Sequence, residues 1–205
     1  MLVCFLKGQI KTFSFFDIQK EIKTEYDDFT KGIKPLSPDE MKDTSKWALH
    51  KKKWQEGYKN FELKTDKFRA QLPGLLYPDF YFEDFNGKSY SLSDFNGQKI
   101  VLNFNYTFCD KCIQQIDSLI KITGSKAKVI VLLHDTKQSA DHIFEAYGNK
   151  VLLGFISLEY ETYYTLQSGQ LTTFLLEDNR TIRFFYKRVY SKAGDKELYD
   201  QLKLL

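Results

Sequence analysis

A largely apolar run of strand length, Lys99-Ile100-Val101-Leu102-Asn103-Phe104-Asn105, is followed four residues later by Cys109-Asp110-Lys111-Cys112, and then by Ile113, Ile116, Leu119 and Ile120 at helical spacing. A run this apolar suits a central strand covered on both faces. The order strand, cysteine pair, helix ties one end of a sheet to one helix, and constrains the fold more than any other feature of the chain. Two cysteines at this spacing can close a small disulfide ring. At a helix start the first sulfur also faces amides whose partial positive charge stabilises a thiolate.

That placement assigns expected roles. Cys109 is the attacking thiolate, and Cys112, one turn further in, resolves the mixed disulfide. Lys111 lowers the first thiol's pKa and Asp110 opposes it. A zinc site needs about four ligands, whereas this chain has a single C-x-x-C pair, and His50, His134 and His142 show no matching spacing. The expectation is therefore no metal and no cofactor. His134 and Asp135 close a predicted strand, with a structural role favoured for the histidine over proton transfer.

The last two thirds of the chain alternate strands and helices, whereas the first third reads as helical, so an extension over 1–72 is expected to precede an α/β domain over 73–205. Asp17 is the expected cap of a helix carrying Ile18, Ile22 and Phe29 and ending near Gly32. Ser37-Pro38-Asp39-Glu40 is a stronger start signal, with a capping box and Pro at the first helical position. Trp47, Trp54, Tyr58 and Phe61 then fall on one helical stripe, expected to pack on the following domain. Leu72-Pro73-Gly74 marks the joint.

Beyond it, Asp79–Phe82, Asn86-Gly87 and Ser89–Leu92 read as a hairpin with a two-residue Asn-Gly turn. Further strands are expected over Lys128–Leu133, Val151–Ile156, Leu171–Leu176 and Ile182–Tyr186, the last two joined through Glu177-Asp178-Asn179-Arg180. Helices are expected over Ser139–Tyr147 and around Leu198, Leu202 and Leu205.

Charge excludes little. The net +3 is carried by the front of the chain, where 15 basic residues face 11 acidic ones through position 70. His50-Lys51-Lys52-Lys53 is the densest basic run and reads as a solvated helix face, so no nucleic-acid partner is expected. No apolar run reaches the roughly 18 residues of a membrane span. The opening Met1–Lys7 has an apolar patch shorter than a signal-peptide core. It reads either as the stub of a longer leader or as a mature start in which Cys4 is buried or incidental.

From about Tyr77 to the C-terminus the chain resembles the thioredoxin-like superfamily, most closely its TlpA/ResA-type thiol–disulfide oxidoreductases (redoxins). Pro78-Asp79-Phe80, Asn86-Gly87-Lys88, Ser91-Leu92-Ser93-Asp94-Phe95 and Gly97 look like that family's opening hairpin. Val101–Phe104 looks like its strand leading to the active site, and Cys109 and Cys112 match its redox pair. The resemblance implies an α/β fold with a thioredoxin-like central mixed sheet flanked by helices. It also implies disulfide exchange with a protein or small-molecule thiol, a separate redox partner, and an extracytoplasmic setting, periplasmic or tethered to a membrane upstream, with the cytoplasm as the alternative.

Two positions depart from the family. Asn105 and Phe108 stand where tryptophans are usual, which alters the surface expected to receive partners. Leu171, followed by Thr172, stands where a cis-proline is usual. A cis bond before a non-proline residue costs about 2.5–4 kcal/mol, so a trans peptide or shifted loop is expected there. The loss of that proline also leaves the thiolates more open to a metal. The alternative reading is therefore a binding or interaction module on the same fold with weak or no redox turnover. Copper proteins of the Sco type would want the second cysteine at Ile113. Peroxiredoxins would want Thr and Pro where Tyr106 and Leu102 stand, which disfavours peroxide reduction.

Overall fold

Alternation along Ile100–Asn105 sets the two faces of the central sheet. Ile100, Leu102 and Phe104 enter one apolar cluster and Val101 enters the other, while all six residues are buried. The computed structural model describes residues 3–6, 9–12, 14–107, 110–133, 137–156, 165, 171–187 and 192–205; residues 3–6, 9–12, 110, 111 and 192–195 are described by backbone only. The strands are β1 (Val3–Leu6), β2 (Gln9–Thr12), β3 (Tyr81–Asp84), β4 (Ser89–Ser91), β5 (Ile100–Asn105), β6 (Lys128–Leu133), β7 (Leu152–Phe155), β8 (Thr172–Leu176) and β9 (Ile182–Lys187). The helices are α1 (Phe15–Lys31), α2 (Pro38–Lys42), α3 (Thr44–Arg69), α4 (Asp110–Thr123), α5 (Lys137–Tyr147) and α6 (Lys192–Lys203).

The main sheet runs β4-β3-β7-β6-β5-β8-β9. β5 pairs parallel with β6 and antiparallel with β8, so the sheet is mixed, and α4 makes the crossover between the parallel pair. Ile116 and Leu119 of α4, Ala140 and Ile143 of α5, and Leu198 and Leu202 of α6 are packed in the cluster on the Val101 face. Burying each of the larger aliphatic side chains contributes about 2 kcal/mol. On the opposite face lie Phe15, Ile18 and Ile22 of α1 and Phe61 of α3. Phe15 meets Tyr77 edge-on at 5.0 Å, and Tyr77 meets Phe174 of β8 at 4.6 Å, which fastens α1 to the sheet.

Several sequence expectations are refined. The α1 cap is Ser14, and Asp17 is the third helical residue of its capping box. The Ser37/Glu40 box forms as expected but opens only the five-residue α2. Asp43 then accepts from the Ser45 and Lys46 amides and starts α3 as a separate helix. The α3 stripe packs mainly on α1: Phe61 stacks on Phe29 at 5.8 Å, while Trp47 and Trp54 stay half-exposed. Gly57 lets the Phe29 ring lie close against α3: a Cβ would stand 2.9 Å from the ring, which would have to shift.

The β3–β4 turn is not the expected two-residue type. Asp84 donates its amide to the Lys88 carbonyl and accepts from the Gly87 amide, so the loop is Phe85-Asn86-Gly87, and only Gly87 takes positive φ (80°). A left-handed residue closing a three-residue loop suits the right-handed twist of the strands. Val3–Leu6 of the opening apolar patch, expected as a leader stub or mature start, pairs antiparallel with Gln9–Thr12, with Cys4 across from Lys11.

Candidate functional site

β5 delivers the chain to the cysteine motif, and α4 carries the motif away from it. Phe108 and Cys109 lie outside the described residues, as do His134 and Asp135. Asp110 and Lys111 form the first turn of α4, described by backbone only. Cys112, in the same turn, is 3% exposed, and its sulfur is engaged in a disulfide whose other half is not among the described side chains. Leu171 is buried and Thr172 fully so, at the head of β8. The peptide bond between Gln170 and Leu171 lies outside the described residues. Thr172 pairs with Phe104 across β5–β8, which brings it to the sheet end from which α4 departs.

What joins these residues is a floor of neutral amides beneath α4. Asn103 and Asn105 occupy alternate positions of β5 on the same face as Val101, toward α4. Asn103 Nδ2 donates to Thr173 Oγ1 at 2.9 Å and to Gln115 Oε1 at 3.2 Å, with the Thr172 carbonyl 3.4 Å away. Asn105 Nδ2 donates to Asn103 Oδ1 at 2.9 Å and to the Cys112 carbonyl at 3.2 Å, while Asn105 Oδ1 accepts from the Tyr106 amide at 2.7 Å. The strand end, the first turn of α4 and the head of β8 are thus tied through side chains that are 0–2% exposed. One atom of this floor, Gln115 Nε2, has no hydrogen-bond partner. Asn105, expected to alter a partner-receiving surface, is 1% exposed and belongs to the floor instead.

Motif spacing alone does not reveal this floor. The legible signal was the alternation inside β5: apolar residues on one face, and Asn at two successive positions on the other. An amide in a doubly buried strand has to be paired.

The opening hairpin is fixed by Asp79. It accepts from the Ser91 hydroxyl at 2.8 Å and from the Ser93 amide at 2.9 Å, with Arg180 Nη1 at 3.3 Å. Partial burial works to raise its pKa, but the bonds from Ser91 and Ser93 and the Arg180 charge outweigh it and hold the carboxyl below its ordinary value. Among the described residues no group of three or more His, Cys, Asp or Glu side chains is arranged to hold a metal. His142 is exposed on α5, and His50 stacks on Trp47. No helix among the described residues is long and apolar enough to cross a membrane.

Residues 73–185 match the family model described as the AhpC/TSA family. The thiol:disulfide interchange protein DsbE of Vibrio cholerae is 29% identical over 127 residues, covering 58% of this chain and 66% of that protein, just short of two thirds of its length. Among solved structures, the thioredoxin domain of a thiol-disulfide oxidoreductase from Bacteroides vulgatus aligns with a TM-score of 0.53 at 16% identity, over 64% of this chain and 96% of that one. A thiol:disulfide interchange protein from a Bacteroides species aligns with a TM-score of 0.53 at 18% identity, over 65% and 89%. At these identities the two structures establish the fold, a thioredoxin-like sheet flanked by helices.

Proposed function

Because the chain belongs to the AhpC/TSA family and has a thioredoxin-like fold, we propose that it exchanges disulfides with a protein or small-molecule thiol partner through Cys109 and Cys112. The observation that carries this reading is the state of Cys112: buried in the first turn of α4, its sulfur in a disulfide and its carbonyl anchored by Asn105. Sequence spacing favours Cys109 as the partner sulfur, since it directly precedes the first helical residue, Asp110. The amides opening α4 would stabilise a thiolate there. Lys111 would add to that effect and Asp110 subtract from it, while Phe108, Leu171 and Thr172 would shape the approach.

In the reducing direction the Cys109 thiolate attacks one sulfur of a substrate disulfide. A mixed disulfide forms, and the other substrate sulfur leaves as a thiolate. Cys112, deprotonated, attacks Cys109 and expels the second substrate thiolate, leaving Cys109–Cys112 oxidised and the substrate reduced by two electrons. The reverse sequence oxidises a dithiol and is set by the relative potentials. The likeness to the thiol:disulfide interchange protein DsbE supports an extracytoplasmic setting and a dedicated redox partner. In this reading residues 1–72 are an extension that braces the domain over 73–205.

An insulin-reduction assay tests the roles. Cys109→Ser abolishes turnover, and Cys112→Ser accumulates a covalent mixed disulfide with the substrate, seen as a mass adduct that dithiothreitol releases. Full turnover by Cys109→Ser overturns the assignment. An intact fold with neither turnover nor adduct favours a binding module instead.

A further inference from the structure

The aromatic stripe of α3 does not end where its packing ends. Trp54, Tyr58 and Phe61 gather on the Phe29 ring of α1, yet every residue over 41–49 and 51–56 is exposed. The chain has two tryptophans, and both lie in this stretch: Trp47 keeps 47% of its surface in solvent and Trp54 keeps 44%. Positive charge gathers at the same place. Over residues 31–60 eight lysines face four acidic residues, a net +4 in a chain whose total is +3. Asp39 and Glu40 are engaged by Lys42 and Lys46, and Asp43 caps α3, whereas Lys51, Lys52 and Lys53 make no ion pair among the described residues. At about 100° per residue, Trp47 and Trp54 lie within about 20° of one another around α3, with Lys51 about 40° to one side and His50, Lys46 and Lys53 within about 120° on the other. No acidic residue of 44–56 falls on that half of the helix, since Glu56 lies opposite the tryptophans. His50 Nε2 is 3.1 Å from the Lys34 carbonyl, which brings a further lysine beside the patch.

From this arrangement we infer that the Trp47–Trp54 face of α3 docks on the surface of a membrane containing anionic lipid. Indole rings favour the boundary between headgroups and acyl chains, and lysines flanking them meet negatively charged headgroups. Each lysine brought near such a surface strengthens attachment roughly fivefold. Charge decides between occupants. A second copy of this chain would set lysines against lysines, whereas an anionic surface complements them. One face of each indole is already taken, Trp54 by Tyr58 at 5.0 Å and Trp47 by His50 at 6.2 Å, so the rings are set to dip an edge into a lipid boundary rather than to sandwich a nucleobase. The contact is peripheral and independent of the cysteine chemistry.

The test uses the full chain and its own fluorescence, because both tryptophans lie in the patch. Vesicles of phosphatidylcholine mixed with phosphatidylglycerol shift the tryptophan emission to the blue and carry the protein upward in flotation, whereas vesicles of phosphatidylcholine alone do neither. Raising salt from about 0.05 M to about 0.5 M, which screens exposed charge, weakens the attachment at least about tenfold. Lys51→Gln combined with Lys53→Gln weakens it at least about tenfold at the lower salt. Both lysines are exposed and outside any ion pair, so this variant keeps the natural unfolding midpoint. Cys109→Ser floats as the natural chain does. No flotation with phosphatidylglycerol vesicles at low salt overturns the inference. Equal attachment to phosphatidylcholine alone, attachment with no blue shift, or undiminished attachment of the double lysine variant does so too. Tighter binding of a single-stranded oligonucleotide than of the vesicles would reassign the face to nucleic acid.

Discussion

The protein buries two polar clusters on opposite sides of the same strand pair, and they solve the cost of burial in different ways. The floor beneath α4 is neutral: Asn103, Asn105, Gln115 and Thr173 exchange amide and hydroxyl bonds, and one atom, Gln115 Nε2, is left over. The seam between α3 and β9 is ionic: Glu62, Arg69 and Lys187 attract one another, yet Glu62 Oε1 and two Arg69 nitrogens make no hydrogen bond. The two meet across the sheet edge, where Thr172 of the floor's strand pairs with Lys187 of the seam. Neutral partners can be matched bond for bond, and so they set geometry. Charges satisfied only in part keep an attraction for something further. The floor, tied to the Cys112 carbonyl through Asn105, holds the start of the cysteine helix in place.

Breaking the floor has the largest expected effect. Asn103→Leu keeps the branched shape, though with bulkier methyl groups, removes the amide, and strands Thr173 Oγ1, Gln115 Oε1 and one N–H of Asn105. The loss is about 3–4 kcal/mol, read as a lower urea midpoint at unchanged m-value. If the cost is that of stranded partners, adding Thr173→Val recovers part of it, because replacing both sides of a buried bond costs less than replacing one. The two substitutions are then non-additive by about 1 kcal/mol. Strict additivity would mean that the floor is not acting as a network.

The seam yields a smaller loss through a different mechanism. Glu62→Gln keeps shape and an acceptor but removes the buried negative charge from Arg69 and Lys187. Leaving buried cations without their partner is expected to cost about 2–3 kcal/mol. Glu62→Met combined with Lys187→Met removes a charge of each sign and should return toward natural stability by urea unfolding. A double variant as unstable as the sum of its parts would show that packing, not charge, holds the seam.

How far each cluster was legible follows from its sequence separation. The cysteine motif, its strand and its helix were adjacent in the chain, so order and periodicity alone predicted β5 and α4. The floor was half legible, since Asn103 and Asn105 break an apolar run at alternate positions, but Gln115 and Thr173 join them only through packing. The seam was not legible. Glu62 and Arg69 share a face of α3, but their partner Lys187 lies 125 residues beyond Glu62 and is brought in by β9. Local rules also compete: Asp43 is a second good cap six residues after Ser37, so one expected helix became two. The β1–β2 pair, built on a short apolar patch, gave no periodic signal long enough to read.

The finest distinction between the clusters is their response to pH, because a floor of amides does not titrate and a seam containing a buried lysine does. Lys187 has a folded pKa of about 8, below its ordinary 10.5. Below pH 8 both folded and unfolded chains hold the proton, and the folded chain carries the full cost of burying it beside Arg69. Between the two values the unfolded chain keeps the proton while the folded chain has shed it, so stability rises with pH across that window. The groups facing the ammonium are Glu62, Asp66 and Tyr58 on α3 together with Arg69. Relative to Lys187→Met, the natural chain should gain about 1 kcal/mol between about pH 7.5 and about pH 9 by urea unfolding, and Asn103→Leu should show the same gain as the natural chain. A gap between the natural chain and Lys187→Met that stays constant or narrows the other way would show that the ammonium is solvated rather than buried, and with it would go the excess positive charge that distinguishes the seam from the floor.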